Sequence, residues 1–330
     1  MQLGRFFRTV YADNGARSRA ERRRRLPDVL RYGRNALLRP LDALLTRRYA
    51  DRSRAILFLV GVPRSGTTLL YQLIASHLPV AYVPNPLARF WSAPLAGAAW
   101  LSLRHGEMRP SPGYRSELGR DPDPFGPHEF SWFWHAFGDF AAHDDLRGDE
   151  LDRVDWRGIA RRLSALSGFH AKPLVLKSLN FTNYQVEILA KHLPQARFVW
   201  ITREPLYCAQ SILEARRRRY GDPARWWSVR PRDVAAWTGR PAVEQVAHQI
   251  RDIEAALARA QSRLPADRFQ TVRYEALTAD PVATLTPIAR ALGVPLRDPD
   301  ALARQAFKAR NQNTLEPAEL RALQSALEAR

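Results

Sequence analysis

The sequence predicts an α/β fold in which a central parallel β-sheet is flanked by helices. Short apolar runs of strand length recur along the chain, at residues 56–60, 174–176, 198–202 and 269–272. Segments with helical periodicity fill most of the intervals between them, which is typical of strands joined by crossover helices. The chain has 330 residues, 45% of them hydrophobic, so it is long enough to bury a substantial core.

The first 54 residues are strongly basic. They hold 15 arginines and five acidic residues. The resulting charge of +10 is more than half of the formal net charge of the chain, +18. Such a segment suits anionic lipid head groups, nucleic acid or an acidic partner, and a solvated basic arm is an equal alternative. Its leucines recur at helical spacing, which predicts an amphipathic helix against a surface. We therefore divide the chain into an N-terminal extension, residues 1–54, and a core domain, residues 55–330.

Several classes of protein do not fit this composition. No apolar run approaches the roughly 20 residues of a membrane span, and arginines stand where a signal peptide needs an apolar stretch. We expect a cytoplasmic protein, with peripheral contact to anionic membrane through residues 1–54 as an alternative. The single cysteine, Cys208, excludes an internal disulfide and a cysteine metal cluster, and its helical context favours a buried core thiol. We expect neither a bound metal nor nucleic acid as a partner.

Residues 56–70 combine an apolar strand, a glycine-containing turn and a helix. Such a turn directs successive backbone N–H groups and the positive end of the helix at one point, which favours a bound phosphate. Gly61 and Gly66 have the spacing of the nucleoside-triphosphate loop, but Thr67 stands where that loop needs a lysine. Arg64 is the only cation within the turn. The stretch predicts an anion site that differs from that of the nucleoside triphosphatases.

A second anion site is predicted where the run at 198–202 ends. Arg203 follows this strand and Pro205 starts a helix, a position that suits the fixed φ of proline. A guanidinium there offers charge-assisted hydrogen bonds to a phosphate, and Ser211 adds a hydroxyl from further along the helix.

These motifs resemble those of bacterial sulfotransferases that use 3′-phosphoadenylyl sulfate (PAPS). The likeness extends over about residues 55–295 and includes Pro-Arg-Ser-Gly-Thr-Thr at 63–68 and Arg-Tyr-Glu at 273–275. It implies a three-layer, P-loop-like fold, PAPS as co-substrate and 3′,5′-adenosine bisphosphate as product. It further implies that Arg203 and Ser211 bind the 3′-phosphate, that Tyr274 lies near the adenine, and that the 5′-phosphosulfate is bound by Arg64, Ser65, Gly66, Thr67 and Thr68. An Arg-Lys-Gly loop found in some relatives is absent, and Lys308 and Arg310 are candidates to replace it.

Sulfuryl transfer needs fixed positive charge at the leaving oxygen and a base for the proton of the acceptor. Arg64 is our candidate for the leaving-group cation, acting electrostatically because arginine does not readily give up its proton. A second cation, Lys177, lies in Lys-Ser-Leu-Asn-Phe, which resembles the Lys-Ser-Ala-Asn-Tyr element of glycan sulfotransferases. Glu129 is our first choice for the base and His128 the second.

Three further stretches bear on the site. Residues 84–130 are rich in proline and glycine and predict a long loop or lid. The run of four arginines at 216–219 either attracts the anionic donor or is simply exposed. Aromatic residues crowd positions 130–137 and 226–227, and we expect them to divide between the core and a platform for the acceptor.

Two other functions compete with transfer of sulfate to a hydroxyl or amine of a carbohydrate, lipid or small molecule. A P-loop nucleotide-dependent kinase requires lysine at position 67 and an acidic magnesium ligand at a strand end, and neither is found. A protein that binds anionic surfaces or nucleic acid through the basic N-terminus would lose its binding steeply as salt rises. The sequence leaves the identity of the acceptor open.

Overall fold

A computed structural model describes residues 25–111, 113–114, 121–140 and 142–329. Five strands form one sheet in the order β2-β3-β1-β4-β5, and every neighbouring pair is parallel. The strands are β1 (Ile56–Val60), β2 (Ala81–Tyr82), β3 (Leu174–Lys177), β4 (Ala196–Thr202) and β5 (Phe269–Arg273).

Strand β1 lies at the centre of the sheet. Its first residue, Ile56, is aligned with Leu174 of β3 on one side and with Ala196 of β4 on the other. The chain places β2 and β3 on one side of β1 and then crosses to the other side for β4 and β5. In open parallel sheets, ligands bind at the carboxyl ends of the strands where the winding reverses in this way, so the topology directs attention to the end of β1.

Helices and short helical turns connect the strands. In chain order the helices are α1 (Arg25–Tyr49), α2 (Thr67–His77), α3 (Pro94–His105), α4 (Ser131–Phe137), α5 (Asp149–Asp152), α6 (Trp156–His170), α7 (Leu179–Thr182), α8 (Val186–His192), α9 (Pro205–Tyr220), α10 (Val234–Trp237), α11 (Ala242–Arg263), α12 (Tyr274–Ala279), α13 (Pro281–Leu292), α14 (Pro299–Ala303) and α15 (Pro317–Glu328). Turns of 3₁₀-helix cover Ala50–Arg52, Leu87–Phe90 and Ala266–Arg268.

The sheet separates two hydrophobic cores. Along β1, Ile56, Phe58 and Val60 belong to one core, which also contains residues of α6, α9 and α11. Leu57 and Leu59 belong to the other, with residues of α2 and α13. Side chains of a strand alternate between the two faces of its sheet, and both faces are covered here. The predicted α/β, three-layer, P-loop-like architecture is therefore confirmed.

One local prediction is wrong, and one of two open alternatives does not hold for the whole segment. The loop predicted for residues 84–130 contains helix α3, whose first five residues are all buried; a segment buried nearly all round shows no polar face, so its helical period is hidden in the sequence. The run of arginines at 216–219 is not uniformly exposed, because Arg216 has no exposed surface. Cys208 is 1% exposed, as the prediction of a core thiol requires.

Helix α1 lies within the predicted N-terminal extension and packs against α3 and α6. Asn35 and Asp42 of α1 are buried, and the amide and carboxylate accept hydrogen bonds from the main chain of Ser92 and Leu95. Residues 1–24 of the extension lie outside the described residues, and the boundary at residue 54 stays a prediction. Among the helices of the described chain, α1 included, none has both the length and the apolar character of a membrane-spanning segment.

Candidate active site

The turn after β1 is held in a conformation that favours glycine. Gly61 and Gly66 have φ values of 147° and 99°, and a Cβ at Gly61 would lie 2.6 Å from the carbonyl oxygen of Ile201. Both polar groups of the Gly61 peptide are bonded by one side chain, because Asn183 Oδ1 accepts from Gly61 N at 3.0 Å and Asn183 Nδ2 donates to Gly61 O at 2.9 Å. The turn is thus fixed before any ligand binds.

Helix α2 begins directly after the turn and has no side-chain cap. The first N–H groups of an α-helix lack acceptors within the helix, so those at the start of α2 are left for a ligand. Gly66, Thr67 and Thr68 line the adjacent cavity. Ser65 is 1% exposed and is not among the described residues that line the cavity; its hydroxyl has no hydrogen-bond partner in the described chain.

The two predicted anion sites meet. Arg203, after β4, donates from Nη1 to the main-chain oxygen of Arg64 at 2.9 Å. Arg64 in turn donates from Nε to Ser211 Oγ, on α9, at 2.9 Å. Both arginines and Ser211 line one cavity. The turn after β1, the end of β4 and helix α9 therefore present their polar groups to the same space.

Positive charge is concentrated around these groups. Burial and the neighbouring guanidinium groups of Arg203 and Arg310 lower the pKa of Arg64 from its usual value, although the Glu214 carboxylate acts in the opposite direction. The Arg203 guanidinium lies over the Tyr274 ring, 4.7 Å from its centroid. Like charges brought together out of water are costly, and a bound anion relieves that cost, so this cluster is suited to phosphate or sulfate groups.

Lys177, the last residue of β3, lies between the turn and a carboxylate. Its side chain is 3% exposed, and its Nζ donates to Thr68 Oγ1 at 3.0 Å and pairs with Glu129 Oε1 at 2.7 Å. Ser178 Oγ donates to the main-chain oxygen of Glu129 at 2.5 Å and fixes the backbone there. Lys177 and Glu129 both line the cavity.

His128 is positioned differently from its neighbour Glu129. Its ring Nδ1 accepts a hydrogen bond from Phe130 N at 2.8 Å, and the main-chain N–H of His128 donates to Val83 O at 2.8 Å. His128 is not among the described residues that line the cavity. Adjacent residues face in different directions, and here the carboxylate of Glu129 faces the arginine-lined space.

The cavity has a volume of about 1490 Å³. Away from the turn its wall is aromatic and basic, and includes His135, Phe181, Arg218, Arg219, Tyr220, Arg225, Trp226 and Trp227. Of the other predicted aromatic residues, Phe130, Phe133 and Trp134 are fully buried.

Buried Arg216 supports the aromatic wall from behind. Its guanidinium donates to Gln245 Oε1 and Gln249 Oε1, at 2.9 and 3.2 Å, and lies 4.9 Å from the centre of the Trp226 ring. Gln249 Nε2 donates to the main-chain oxygen of Trp227 at 3.0 Å. Within the run at 216–219, this first arginine is thus a support for the loop, whereas Arg218 and Arg219 line the cavity.

A buried carboxylate lies in the same wall. Asp144 is 1% exposed and accepts hydrogen bonds from Arg230 N and Asn180 Nδ2, both at 2.8 Å. Burial raises the pKa of Asp144 to about 6, against the opposing effect of the Arg230 guanidinium.

Several site residues escape sequence reasoning. Asn183 carries no motif of its own and lies two residues after the end of the Lys-Ser-Leu-Asn-Phe element at 177–181. The segment 306–314 also lines the cavity, and Arg203 donates to Asn311 Oδ1 at 2.9 Å and to Arg310 O at 2.6 Å. The sequence pointed to this segment only indirectly, because Lys308 and Arg310 were the candidates to replace the missing Arg-Lys-Gly loop. Both residues line the cavity.

A parallel three-layer fold with a glycine-containing turn after its central strand, and a second cationic strand end beside it, has the architecture of P-loop-like proteins. A profile of the sulfotransferase family matches residues 57–298, so the chain belongs to the sulfotransferase family. Family and fold together support sulfuryl transfer.

Solved structures agree with this fold. The crystal structure of sulfotransferase STF1 from Mycobacterium tuberculosis H37Rv is similar with a TM-score of 0.50 and 21% identity, over 87% of this chain and 81% of that one. That of sulfotransferase STF9 from Mycobacterium avium has a TM-score of 0.48 and 19% identity, over 83% and 76%. No curated protein sequence gives a significant match.

Proposed function

We propose that this protein transfers the sulfuryl group of PAPS to a hydroxyl or amine of a carbohydrate, lipid or small-molecule acceptor. The observation that carries the proposal is the direct contact between the two anion sites, in which Arg203 bonds the main chain of Arg64 and Arg64 bonds Ser211. A donor with phosphate groups at both its 3′ and 5′ positions needs two such sites side by side.

The residues present fit this donor. The start of α2 offers N–H groups without acceptors in the helix, and the positive charge of Arg64, Arg203 and Arg310 is crowded into one wall. In the proposal, Arg64, Ser65, Gly66, Thr67 and Thr68 form the loop that holds the 5′-phosphosulfate. Of these, Ser65 acts through the backbone shape of the turn, because its side chain is buried.

The other end of the donor is assigned to the strand end after β4. Arg203 and Ser211 hold the 3′-phosphate, and Tyr274, whose ring lies under the Arg203 guanidinium, contacts the adenine.

The donor supplies an activated sulfate, and the protein supplies charge and a base. In the overall reaction the acceptor oxygen or nitrogen bonds to sulfur, the S–O bond to the phosphate breaks, and 3′,5′-adenosine bisphosphate leaves with the electron pair. Arg64 stabilises the charge that develops on the leaving phosphate. Glu129 accepts the proton of the acceptor, and Lys177, bonded to both Thr68 and Glu129, holds the base next to the donor loop.

Glu129 is preferred to His128 as the base on geometry. The Glu129 carboxylate lines the cavity beside Lys177, whereas the His128 ring is bonded to the backbone outside it. A base has to reach the proton that it accepts, directly or through one water.

Calorimetry tests the donor assignment. We expect 3′,5′-adenosine bisphosphate to bind at least about 100-fold more tightly than ATP with magnesium, because the site has two anion pockets and lacks the lysine of nucleoside-triphosphate loops. Tighter binding of ATP would overturn the proposal in favour of a kinase.

A variant cycle tests the 3′-phosphate site separately. In the wild type, 5′-AMP should bind more weakly than 3′,5′-adenosine bisphosphate by about 30-fold or more, the cost of losing a charge-assisted contact. In Arg203→Ala the two ligands should bind alike. Arg263→Ala removes the same charge at an exposed position on α11 and should leave the difference as it is in the wild type. A full difference in Arg203→Ala would refute this assignment.

A further inference from the structure

Helix α1 buries polar side chains against the protein, beside Leu38 and Leu45, which pack against the core, and it exposes a row of leucines on its outer side. Asn35, Asp42 and Thr46 are at most 5% exposed, and their spacing of seven and four residues places them on one face. The opposite face carries Leu30, Leu37, Leu41 and Leu44 at spacings of seven, four and three, with exposed fractions from 47% to 83%. A helix that only covers a core has polar side chains on its outer face.

Two of the inward polar side chains, Asn35 and Asp42, are hydrogen-bonded to the protein. Asp42 Oδ1 accepts from Leu95 N at 2.7 Å and its Oδ2 accepts from Arg162 Nε at 3.2 Å, while Asn35 bonds the main chain of Ser92 and Arg89. These bonds fix the rotation of α1 about its axis. The leucines cannot turn inward without leaving a buried carboxylate and amide unpaired, which is costly.

Helix α3 continues the apolar surface. Trp100 and Leu103 are 49% and 90% exposed, and the Trp100 ring lies 5.8 Å from the Phe90 ring. The Arg34 guanidinium of α1 lies over the same Phe90 ring, 3.9 Å from its centre. In the described chain, the exposed large hydrophobic side chains are all on α1 or α3: Val29, Leu30, Leu37, Leu41, Leu44, Trp100 and Leu103. We call these seven residues the leucine surface.

Basic residues predominate in the two segments that carry the leucine surface. Residues 29–49 contain five arginines and one acidic residue, Asp42, which is buried. Residues 94–105 contain no acidic residue, and Arg104 lies near the Trp100 ring. An apolar stripe bordered by arginines, with a tryptophan at its edge, is the composition of helices that lie in the interface of an anionic membrane.

We propose that the leucine surface docks the protein on an anionic lipid membrane, with the leucines in the interface and the arginines on the lipid phosphates. This goes beyond sulfuryl transfer and does not depend on it. A second copy of the chain is a poorer occupant, because a two-fold contact through this surface would bring the arginines of the two copies together. Lipid head groups supply the opposite charge.

Flotation of the full chain with lipid vesicles tests the proposal. Vesicles of phosphatidylcholine with about a third phosphatidylglycerol should carry the wild type, and vesicles of phosphatidylcholine alone should carry much less. The variant with Leu37→Gln, Leu44→Gln and Leu103→Gln should bind the anionic vesicles at least about tenfold more weakly, because its apolar stripe is interrupted. All three positions are exposed, so the variant should fold.

The matched control carries isoleucine at the same three positions, which keeps the apolar area, and should bind within about twofold of the wild type. Donor affinity should be the same in all three proteins, which separates this proposal from the proposed function. Equal flotation of the glutamine variant and the wild type would overturn membrane docking. A wild-type dimer that the glutamine substitutions convert to a monomer would also overturn it and assign the surface to a second copy.

Discussion

Two groups of charged side chains line the same cavity and differ in how their charge is balanced. Arg64 and Arg203 donate their hydrogen bonds to neutral oxygens, namely a serine hydroxyl, an asparagine amide and main-chain carbonyls. Lys177 instead pairs with the Glu129 carboxylate at 2.7 Å. The arginines keep their positive charge for a ligand, whereas the Lys177–Glu129 pair is already neutral. In the proposed function, the cations of this pocket are thus divided between binding an anion and holding the base that accepts a proton.

Substitutions in the two groups should therefore change different properties of the enzyme. Changes at the arginines should act on donor affinity, because in the described part of the chain no carboxylate is hydrogen-bonded to Arg64 or Arg203. Changes at the Lys177–Glu129 pair should act on the rate of transfer. A residue that affected both equally would show that the two groups are not separate.

The largest effect is expected for Glu129→Gln. This change removes the proposed base and keeps the size of the side chain, so kcat should fall by about 100- to 1000-fold while donor affinity stays within about threefold. The measurement is single-turnover transfer from radiolabelled PAPS to an acceptor found by screening, together with calorimetry of 3′,5′-adenosine bisphosphate.

The neighbouring variant His128→Gln is the control for that experiment. His128 accepts from the main chain of Phe130 outside the cavity, so kcat should change by less than about threefold. If His128→Gln lost as much activity as Glu129→Gln, the base would have to be reassigned.

The sequence predicts the donor side of this comparison better than the acceptor side, because the donor side rests on local patterns. The strand, turn and helix at residues 56–77 follow from a buried apolar run and two glycines. Arg203 and Pro205 are predicted in the same way, since proline at the first position of α9 is visible in the sequence. That the two turns contact each other follows from the parallel order of β1 and β4.

Contacts across long separations could not be predicted. Asn183 bonds Gly61 across 122 residues, and Arg203 bonds Arg310 across 107. The first contact depends on the order of β1 and β3 in the sheet, and the second on where the chain returns after β5. Neither contact leaves a pattern in the sequence. The amphipathic character of α1 was predicted, but not that Asp42 is buried on its inward side, because the main-chain donor that Asp42 accepts from is at Leu95.

Asn183→Ala should have the next largest effect, on stability as well as on the donor side. It leaves the N–H and the carbonyl of the buried Gly61 peptide unpaired, which should lower the free energy of unfolding by about 3 kcal/mol. Urea denaturation measures the change. Calorimetry should show weaker donor binding, because the turn is no longer held in place.

Asn313→Ala is the matched control for Asn183→Ala. Asn313 also bonds both polar groups of one backbone residue, Leu315, but it is exposed to water. Its loss should cost less than about 1 kcal/mol, since water replaces the bonds. If both variants lowered the free energy of unfolding equally, the two hydrogen bonds from Asn183 to Gly61 would not be needed to hold the turn.

Asp144, in the aromatic and basic wall of the cavity, should make the stability of the protein depend on pH. Burial raises the pKa of Asp144 to about 6 in the folded protein. Between pH 4 and 6 the folded state therefore holds a proton that the unfolded state releases, and the free energy of unfolding falls as the pH rises through this window. The contribution is about 2 to 3 kcal/mol.

The test compares the wild type with Asp144→Asn by urea denaturation across that pH range. The asparagine variant cannot titrate, so the fall of about 2 to 3 kcal/mol between pH 4 and 6 should be absent from its profile. The slope is compared, not the absolute stability, because the substitution also changes the bonds to Arg230 and Asn180. Parallel profiles for the two proteins would show that Asp144 is ionised throughout and that its bonds to Arg230 outweigh its burial.

Ser211→Ala should have the smallest effect on ligand binding. It tests whether Ser211 acts at the 3′-phosphate site or at Arg64. Ser211 accepts a hydrogen bond from Arg64 and, in the proposed site, donates its own to the 3′-phosphate. Loss of one such bond should weaken binding of 3′,5′-adenosine bisphosphate by about three- to tenfold and leave binding of 5′-AMP unchanged. An equal loss for both ligands would mean that Ser211 acts by positioning Arg64 at the 5′ end. The two anion sites would then share their hydroxyl and could not be regarded as independent pockets.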